Sequence, residues 1–378
     1  MLIAHALHRT AHRARAASLL AVAASAADAA PPTESAVCAT PASPSRAHGA
    51  VRRFAVIFAT AAAAAALAGV PAPALAQAWP AKPLRMIIPF TAGGSTDLLA
   101  RAVGARLSEA LAQTVVFDNR PGANTIIAFE LQARAGADGY TLLMGGFNGM
   151  VMNPLFYPKL PYDVERDLAP IALVGSSPLV VVVHPSLPIR SIKDLVEYAR
   201  ANPGKLNFQS SGNGNITHVA VELFMTMTGT RMQHIAYKGG SAGLPDLLSG
   251  QVPIKFDTPI TAIPFLKTGK LRALAATSPR RLSILPDLPT IAELGYKDYE
   301  AATWFSLVTR RGTPAEIIAR LNREVRRFVD TPEARETFAA QGIELASGTP
   351  EDLAALIRRD RATWSAVVRR AGITVDPI

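Results

Sequence analysis

Pro89-Phe90-Thr91-Ala92-Gly93-Gly94-Ser95-Thr96-Asp97 joins an apolar, strand-like run at residues 84–90 to Leu98, Leu99, Val103, Leu107 and Leu111, which follow at helical spacing. A strand feeding a helix through two glycines opens an α/β unit. Gly93 and Gly94 let the backbone approach a ligand with no Cβ in the way. The amide N–H groups that follow, and the positive end of the helix dipole, suit an anion. Ser95 and Thr96 add hydroxyl donors. No Gly-Lys-Ser/Thr follows, so this is not a Walker loop, and it is not Gly-x-Gly-x-x-Gly. A glycine turn in which Ser95, Thr96 or Asp97 merely caps the helix accounts for the same residues. Asp97 repels an anionic ligand unless it caps the helix or meets an ammonium group.

Outward from this stretch the strand–helix alternation continues. Further strands are expected at 114–117, 140–144 and 179–183, the last a β-branched run suited to burial on both faces. Ser191 is placed to cap a helix whose apolar stripe is Ile192, Leu195, Val196 and Ala199. Strands at 205–209, 232–237, 252–257, 271–277 and 302–310 come next, and then helices at 314–329, at 332–340 and from 349 towards 370. Short connections and this alternation imply mostly parallel sheets with helices on both faces. The three terminal helices lack strands of their own and are expected to pack back on the first unit. The expected organisation is therefore a discontinuous first domain, 79–180 plus 305–378, and an inserted second domain, 181–304.

The 378-residue chain has 39 Lys plus Arg against 29 Asp plus Glu, and 49% apolar residues, which exclude a disordered protein. Residues 1–78 read as a leader. Arg52 and Arg53 precede an uncharged run at 54–70, and Ala76-Gln77-Ala78 offers the small residues of a signal-peptidase site, with cleavage expected after Ala78. Residues 1–50 fit poorly before such a signal, and translation starting near Val51 would explain them. The leader holds the single cysteine, Cys38, and four of the seven histidines. The remaining 300 residues keep 33 positive and 27 negative charges, His184, His218 and His234. A disulfide framework and a multi-cysteine metal site are thus excluded, and the few histidines argue against a histidine-rich metal centre. No metal or cofactor is expected. The arginine pairs are scattered over helix surfaces without interleaved aromatics, which argues against nucleic-acid binding.

A second glycine-rich turn, Ser210-Ser211-Gly212-Asn213-Gly214-Asn215-Ile216-Thr217-His218, also leads from a strand into a helix. Ligands of open α/β sheets bind outside the carboxyl ends of strands. Two such turns facing each other would clamp a small acid. Tyr237 with Lys238, Asp257 with Thr258, and Gly146 and Asn148 end other strands and belong to the same rim. Ser95, Ser210 or Ser211 with His218 and an Asp would be raw material for a hydrolase triad, but no Gly-x-Ser-x-Gly elbow is present.

Taken together, Trp79-Pro80, the loop at 89–97, Asn119-Arg120-Pro121-Gly122-Ala123, Asp138-Gly139-Tyr140, Pro203-Gly204-Lys205, Ser211-Gly212-Asn213-Gly214, Tyr237-Lys238-Gly239, Gly269-Lys270-Leu271-Arg272 and Leu288-Pro289-Thr290 give a chain that resembles the Bug family. These are periplasmic solute-binding receptors associated with tripartite tricarboxylate transporters. The resemblance covers the chain from Trp79 onward. It implies a type II periplasmic-binding-protein fold, two α/β domains with an interdomain ligand cleft, and no catalytic turnover. It implies a small organic acid as ligand: a di- or tricarboxylate, an acidic amino acid or an aromatic acid.

Carried onto this sequence, residues 90–97 form the first ligand loop. Ser211, Gly212, Asn213, Asn215, Thr217 and His218 form the second, and Gly146, Asn148, Tyr237, Lys238 and Asp257 complete the rim. A monomeric periplasmic receptor that delivers its ligand to membrane transporter subunits is expected. A receptor signalling to a sensor kinase, or a periplasmic hydrolase, is the alternative.

Overall fold

The computed structural model describes residues 79–375. The leader, its export signal and the cleavage expected after Ala78 lie outside them. Two sheets carry the fold. The first contains β1 (Leu84–Ile88), β2 (Val115–Asn119), β3 (Thr141–Gly146), β4 (Leu168–Pro178), β10 (Ala302–Arg310) and β11 (Glu344–Leu345) in the order β11-β4-β10-β3-β1-β2. The second contains β5 (Val180–Val183), β6 (Asn207–Ser210), β7 (Gln233–Ala236), β8 (Ile254–Asp257) and β9 (Arg272–Ala276) in the order β7-β6-β8-β5-β9. The longer helices are α1 (Ser95–Leu111), α2 (Ile126–Ala133), α3 (Ile192–Ala201), α4 (Ile216–Thr228), α5 (Pro259–Lys267), α6 (Ala315–Val329), α7 (Pro332–Ala339) and α8 (Pro350–Ala371).

The expectation of mostly parallel sheets needs correction. β1 runs parallel to β2 and β3, and β6 parallel to β7 and β8. However, β10 is antiparallel to both β3 and β4, and β5 is antiparallel to both β8 and β9. β5 and β10 are the strands by which the chain enters one sheet from the other. No helical crossover within a sheet sets their direction, so nothing forces them parallel.

β4 is buried along most of its length and pairs with β10 from Leu168↔Arg310 to Pro178↔Ala302. Its sequence hides it: Pro170, Gly175, Ser176, Ser177 and Pro178 read as a loop. The chain leaves the first sheet at Leu179 and returns through Ala301, against domain boundaries expected at 180/181 and 304/305. Thr277 ties the two crossings together. Its Oγ1 accepts the Leu179 N–H at 2.7 Å and lies 2.6 Å from the Ala301 carbonyl oxygen, fully buried.

Helix ends follow their chemistry. Ser191 Oγ accepts the Asp194 N–H at 3.1 Å and starts α3, as its sequence implies. Thr349 and Asp352 form a reciprocal capping box at α8. α6 packs back on the first sheet: Leu321 and Val325 share a core with Leu99, Val103 and Leu107 of α1.

Candidate functional site

β1 delivers the chain into the first glycine turn. Gly93 has φ +83°, and a Cβ placed there would meet nothing within 4 Å, so backbone conformation and not space calls for glycine. Asp97 folds back under the turn. Its Oδ2 accepts the Gly93 N–H at 3.0 Å and the Arg101 Nε at 2.9 Å, while Oδ1 accepts Arg101 Nη2 and Asn119 Nδ2, each at 3.0 Å. Asn119 Nδ2 also donates to the Phe90 carbonyl oxygen at 2.9 Å. Burial pushes the Asp97 carboxyl up, but the hydrogen bonds from Arg101, Gly93 and Asn119 outweigh it and hold it below the usual carboxylate range. Asp97 is thus corrected from ligand contact to brace, because Arg101 draws its carboxylate behind the loop.

β6 delivers the second turn. Gly212 and Gly214 have φ +147° and +71°. Asn215 caps α4: its Oδ1 accepts the Thr217 N–H and the Thr217 hydroxyl, both at 3.1 Å, and Thr217 Oγ1 accepts the Ser211 N–H at 2.9 Å. The other end of the same amide, Asn215 Nδ2, is buried with no hydrogen-bond partner among the described residues. His218 lies beneath the turn. Its Nδ1 accepts the Gly214 N–H at 3.1 Å, its Nε2 is 3.3 Å from Glu222, and its ring stacks on His234 with centroids 3.6 Å apart. His218 is likewise corrected from ligand contact to brace, since both ring nitrogens are engaged with its own helix and turn.

Between the two turns lies a cavity of about 50 Å³. Phe90, Gly94, Ser95 and Thr96 line it from one side, Gly146 and Asn148 from the end of β3, and Ser211, Asn215, Thr217 and Asp257 from the second sheet. Its lips touch. Thr91 Oγ1 is 2.8 Å from Ser241 Oγ, which itself donates to the Ala92 carbonyl oxygen at 2.9 Å. Asn148 Oδ1 accepts the Ile216 N–H at 2.8 Å, and the Tyr157 hydroxyl donates to the Asn213 carbonyl oxygen at 3.1 Å. The two sides of the cleft are thus in direct contact. Thr91, Ala92 and Gly93 belong to the lip contact and its support. Gly212, Asn213, Tyr237 and Lys238 fall on an adjoining mouth of about 270 Å³ instead of the cavity itself. Tyr237 is turned aside by donating its hydroxyl to Asp246.

Several wall residues escape the sequence reading: Thr125, Phe129 and Trp304. Lys255, behind the wall beside Asp257 and with its side chain 1% exposed, escapes it too. Its Nζ lies 2.8 Å from Asp257 Oδ2 and donates to the Gly240 carbonyl oxygen at 2.8 Å. A signal for it existed. Residues two apart on a strand share a face, so Lys255 and Asp257 point the same way from β8.

The triad does not assemble. Ser210 is buried outside the cavity, with its Oγ 2.6 Å from His234 Nε2 and 3.0 Å from the Gly212 carbonyl oxygen. Burial, reinforced by the neighbouring His218, pushes His234 down to about 3. Such a ring is a poor base near neutral pH.

The sequence profile described as the tripartite tricarboxylate transporter family receptor matches residues 99–373. Protein BugT of Bordetella pertussis is 37% identical over 308 residues, covering 81% of this chain and 94% of that protein. A solved structure described as R. palustris Rpa4515 with adipate superimposes with a TM-score of 0.77 at 38% identity, over 79% of this chain and all of the other. MatC from Rhodopseudomonas palustris with bound malate gives a TM-score of 0.73 at 28% identity, over 77% of this chain and all of the other. The two-sheet α/β architecture with a cleft between the sheets is the type II periplasmic-binding-protein fold that the family resemblance implies. The matching proteins are solute-binding receptors and not enzymes.

Proposed function

This chain belongs to the receptor family of tripartite tricarboxylate transporters, and from that premise we propose that it captures a small carboxylate in the cavity between its two sheets. The observation that carries the proposal is the Asn215 side-chain amide, 2% exposed, with an unpaired N–H donor in a wall that also offers the hydroxyls of Ser95, Thr96, Ser211 and Thr217. A buried donor left unmade costs about 1–3 kcal/mol, which a ligand acceptor recovers. The first amides of α1, at Ser95 and Thr96, have no partner within their helix by construction and carry the positive end of its dipole. An anionic oxygen satisfies both kinds of donor. Hydrogen bonds to a charged group contribute about 1.5–3 kcal/mol each. Several of them reach micromolar affinity, about −8 kcal/mol, after ordering costs. The proteins with adipate and malate that share this fold support the same chemistry.

In this reading Ser95, Thr96, Ser211, Asn215 and Thr217 hold the ligand, with Gly94 and Gly240 leaving room for it. Residues 79–180 with 305–378 form one lobe and 181–304 the other, and the lobes close by bending at the crossings tied by Thr277. The protein acts in the periplasm after removal of its leader and passes the ligand to membrane transporter subunits. A thermal-shift screen of the exported protein, freed of co-purified ligand, tests the proposal. Melting rises with at least one di- or tricarboxylate, acidic amino acid or aromatic acid. No rise with any of them refutes it.

A further inference from the structure

We propose that the ligand carries a hydroxyl group beside its carboxylate, and that Asp257, Lys255 and Ser211 read that hydroxyl against the backbone of Gly240. The inference rests on the receptor reading and narrows its ligand class. Asp257 is an acceptor-only anion in the wall of a cavity for anions, 3% exposed. By itself it repels a carboxylate. Lys255 offsets that charge, at 2.8 Å from Asp257 Oδ2, and Asp257 Oδ1 accepts the Thr258 N–H at 2.9 Å. Two carboxylate oxygens offer about four acceptor positions, so capacity remains. The Lys255 ammonium has three donors and gives one to Asp257 and one to the Gly240 carbonyl oxygen.

Gly240 is where these groups converge. A Cβ placed there would lie 3.5 Å from Lys255 Nζ, 3.5 Å from Ser211 Oγ and 3.9 Å from Asp257 Oδ1. Without that Cβ, a ligand atom can come against the backbone between an ammonium, a hydroxyl and a carboxylate. A group bound there must donate to Asp257 and accept from Lys255. A hydroxyl does both. A ligand ammonium only donates and faces Lys255 charge to charge, whereas a keto oxygen only accepts and faces Asp257. A methylene leaves both protein groups unanswered.

Isothermal titration of the exported protein with matched acids tests this: succinate, malate, oxaloacetate and aspartate, and glutarate with its 2-hydroxy, 2-oxo and 2-amino forms. In one carbon series or both, the hydroxy acid binds at least about tenfold tighter than its three counterparts, the usual worth of one buried hydrogen bond to a charged group. Gly240→Ala, whose methyl makes only ordinary contacts, fills the spot and brings the ratio of hydroxy to deoxy affinity below about threefold. The double change Lys255→Met with Asp257→Leu, which leaves no buried charge unpaired, does the same. Circular dichroism confirms that each variant folds, and either variant suffices. Equal binding of hydroxy and deoxy acids overturns the inference, as does preference for the amino or keto form, or a ratio that survives in the variants. Failure of every acid to bind overturns it together with the receptor reading beneath it.

Discussion

Asn215→Asp isolates the unpaired donor in the cavity. The change keeps the size and the Oδ1 acceptor that caps α4 through the Thr217 N–H, and Asp caps as well as Asn. It replaces Nδ2, which has no partner among the described residues, with a carboxylate oxygen. For a bound acid this removes a charge-assisted hydrogen bond of about 1.5–3 kcal/mol and adds repulsion of up to about 4 kcal/mol at an effective dielectric near 20. A combined loss of at least about 3 kcal/mol lowers affinity by on the order of a hundredfold. The assay is isothermal titration with the tightest acid of the panel, alongside the melting temperature of the free protein, which reports whether the cap survives. Binding of the variant within threefold of the native protein, with folding intact, would show that the amide does not face the ligand and refute the reasoning.

Further outcomes follow from the braces and the walls. Gly93→Ala destabilises by about 1–2 kcal/mol in urea unfolding, because φ +83° penalises any Cβ there although space is open. Asp97→Asn leaves Arg101 without its ion pair and weakens acid binding through a looser first turn; equal affinity would show that the brace does not position the loop. Trp304 lines the cavity and donates its Nε1 to Asp360 Oδ2 at 2.9 Å, so a bound acid changes tryptophan emission, and the change disappears in Trp304→Phe. His234 sets a pH dependence. Its folded value, about 3, lies below the ordinary 6.5, so the unfolded chain takes the proton first. Stability is therefore full above about pH 6.5 and falls as pH drops from there towards 3, by at most about 1.4 kcal/mol per unit for this one proton. Urea unfolding between pH 7.5 and 5 reads that slope above the range of the carboxylates, and His234→Gln flattens it.

The two glycine turns could be read from the sequence because their chemistry is local. A strand, positive-φ glycine (Gly93 in the first turn, Gly212 and Gly214 in the second) and a helix start lie within ten residues of each other. Ser191 and the terminal helices were legible for the same reason. What was hidden depends on partners far along the chain. β4 takes its strand character from nine paired residues of β10, and its own prolines and serines speak against it. The closed lip joins Thr91 to Ser241 across 150 residues, which no pattern in either segment reveals. Asp97 and His218 were assigned to the ligand because they sit in the right turns, but neighbours at i+4, Arg101 and Glu222, turn them inward. Lys255 reads as one lysine in a short strand until its burial and its place beside Asp257 are seen.

The most direct measurement is a crystal structure of the exported protein with the tightest acid of the panel. The account predicts one carboxylate of that acid within about 3.2 Å of both the α1 amides at Ser95 or Thr96 and the Asn215 Nδ2, joining the two sheets through a single ligand group. An acid lodged away from that cavity, or held by one sheet alone, would contradict it.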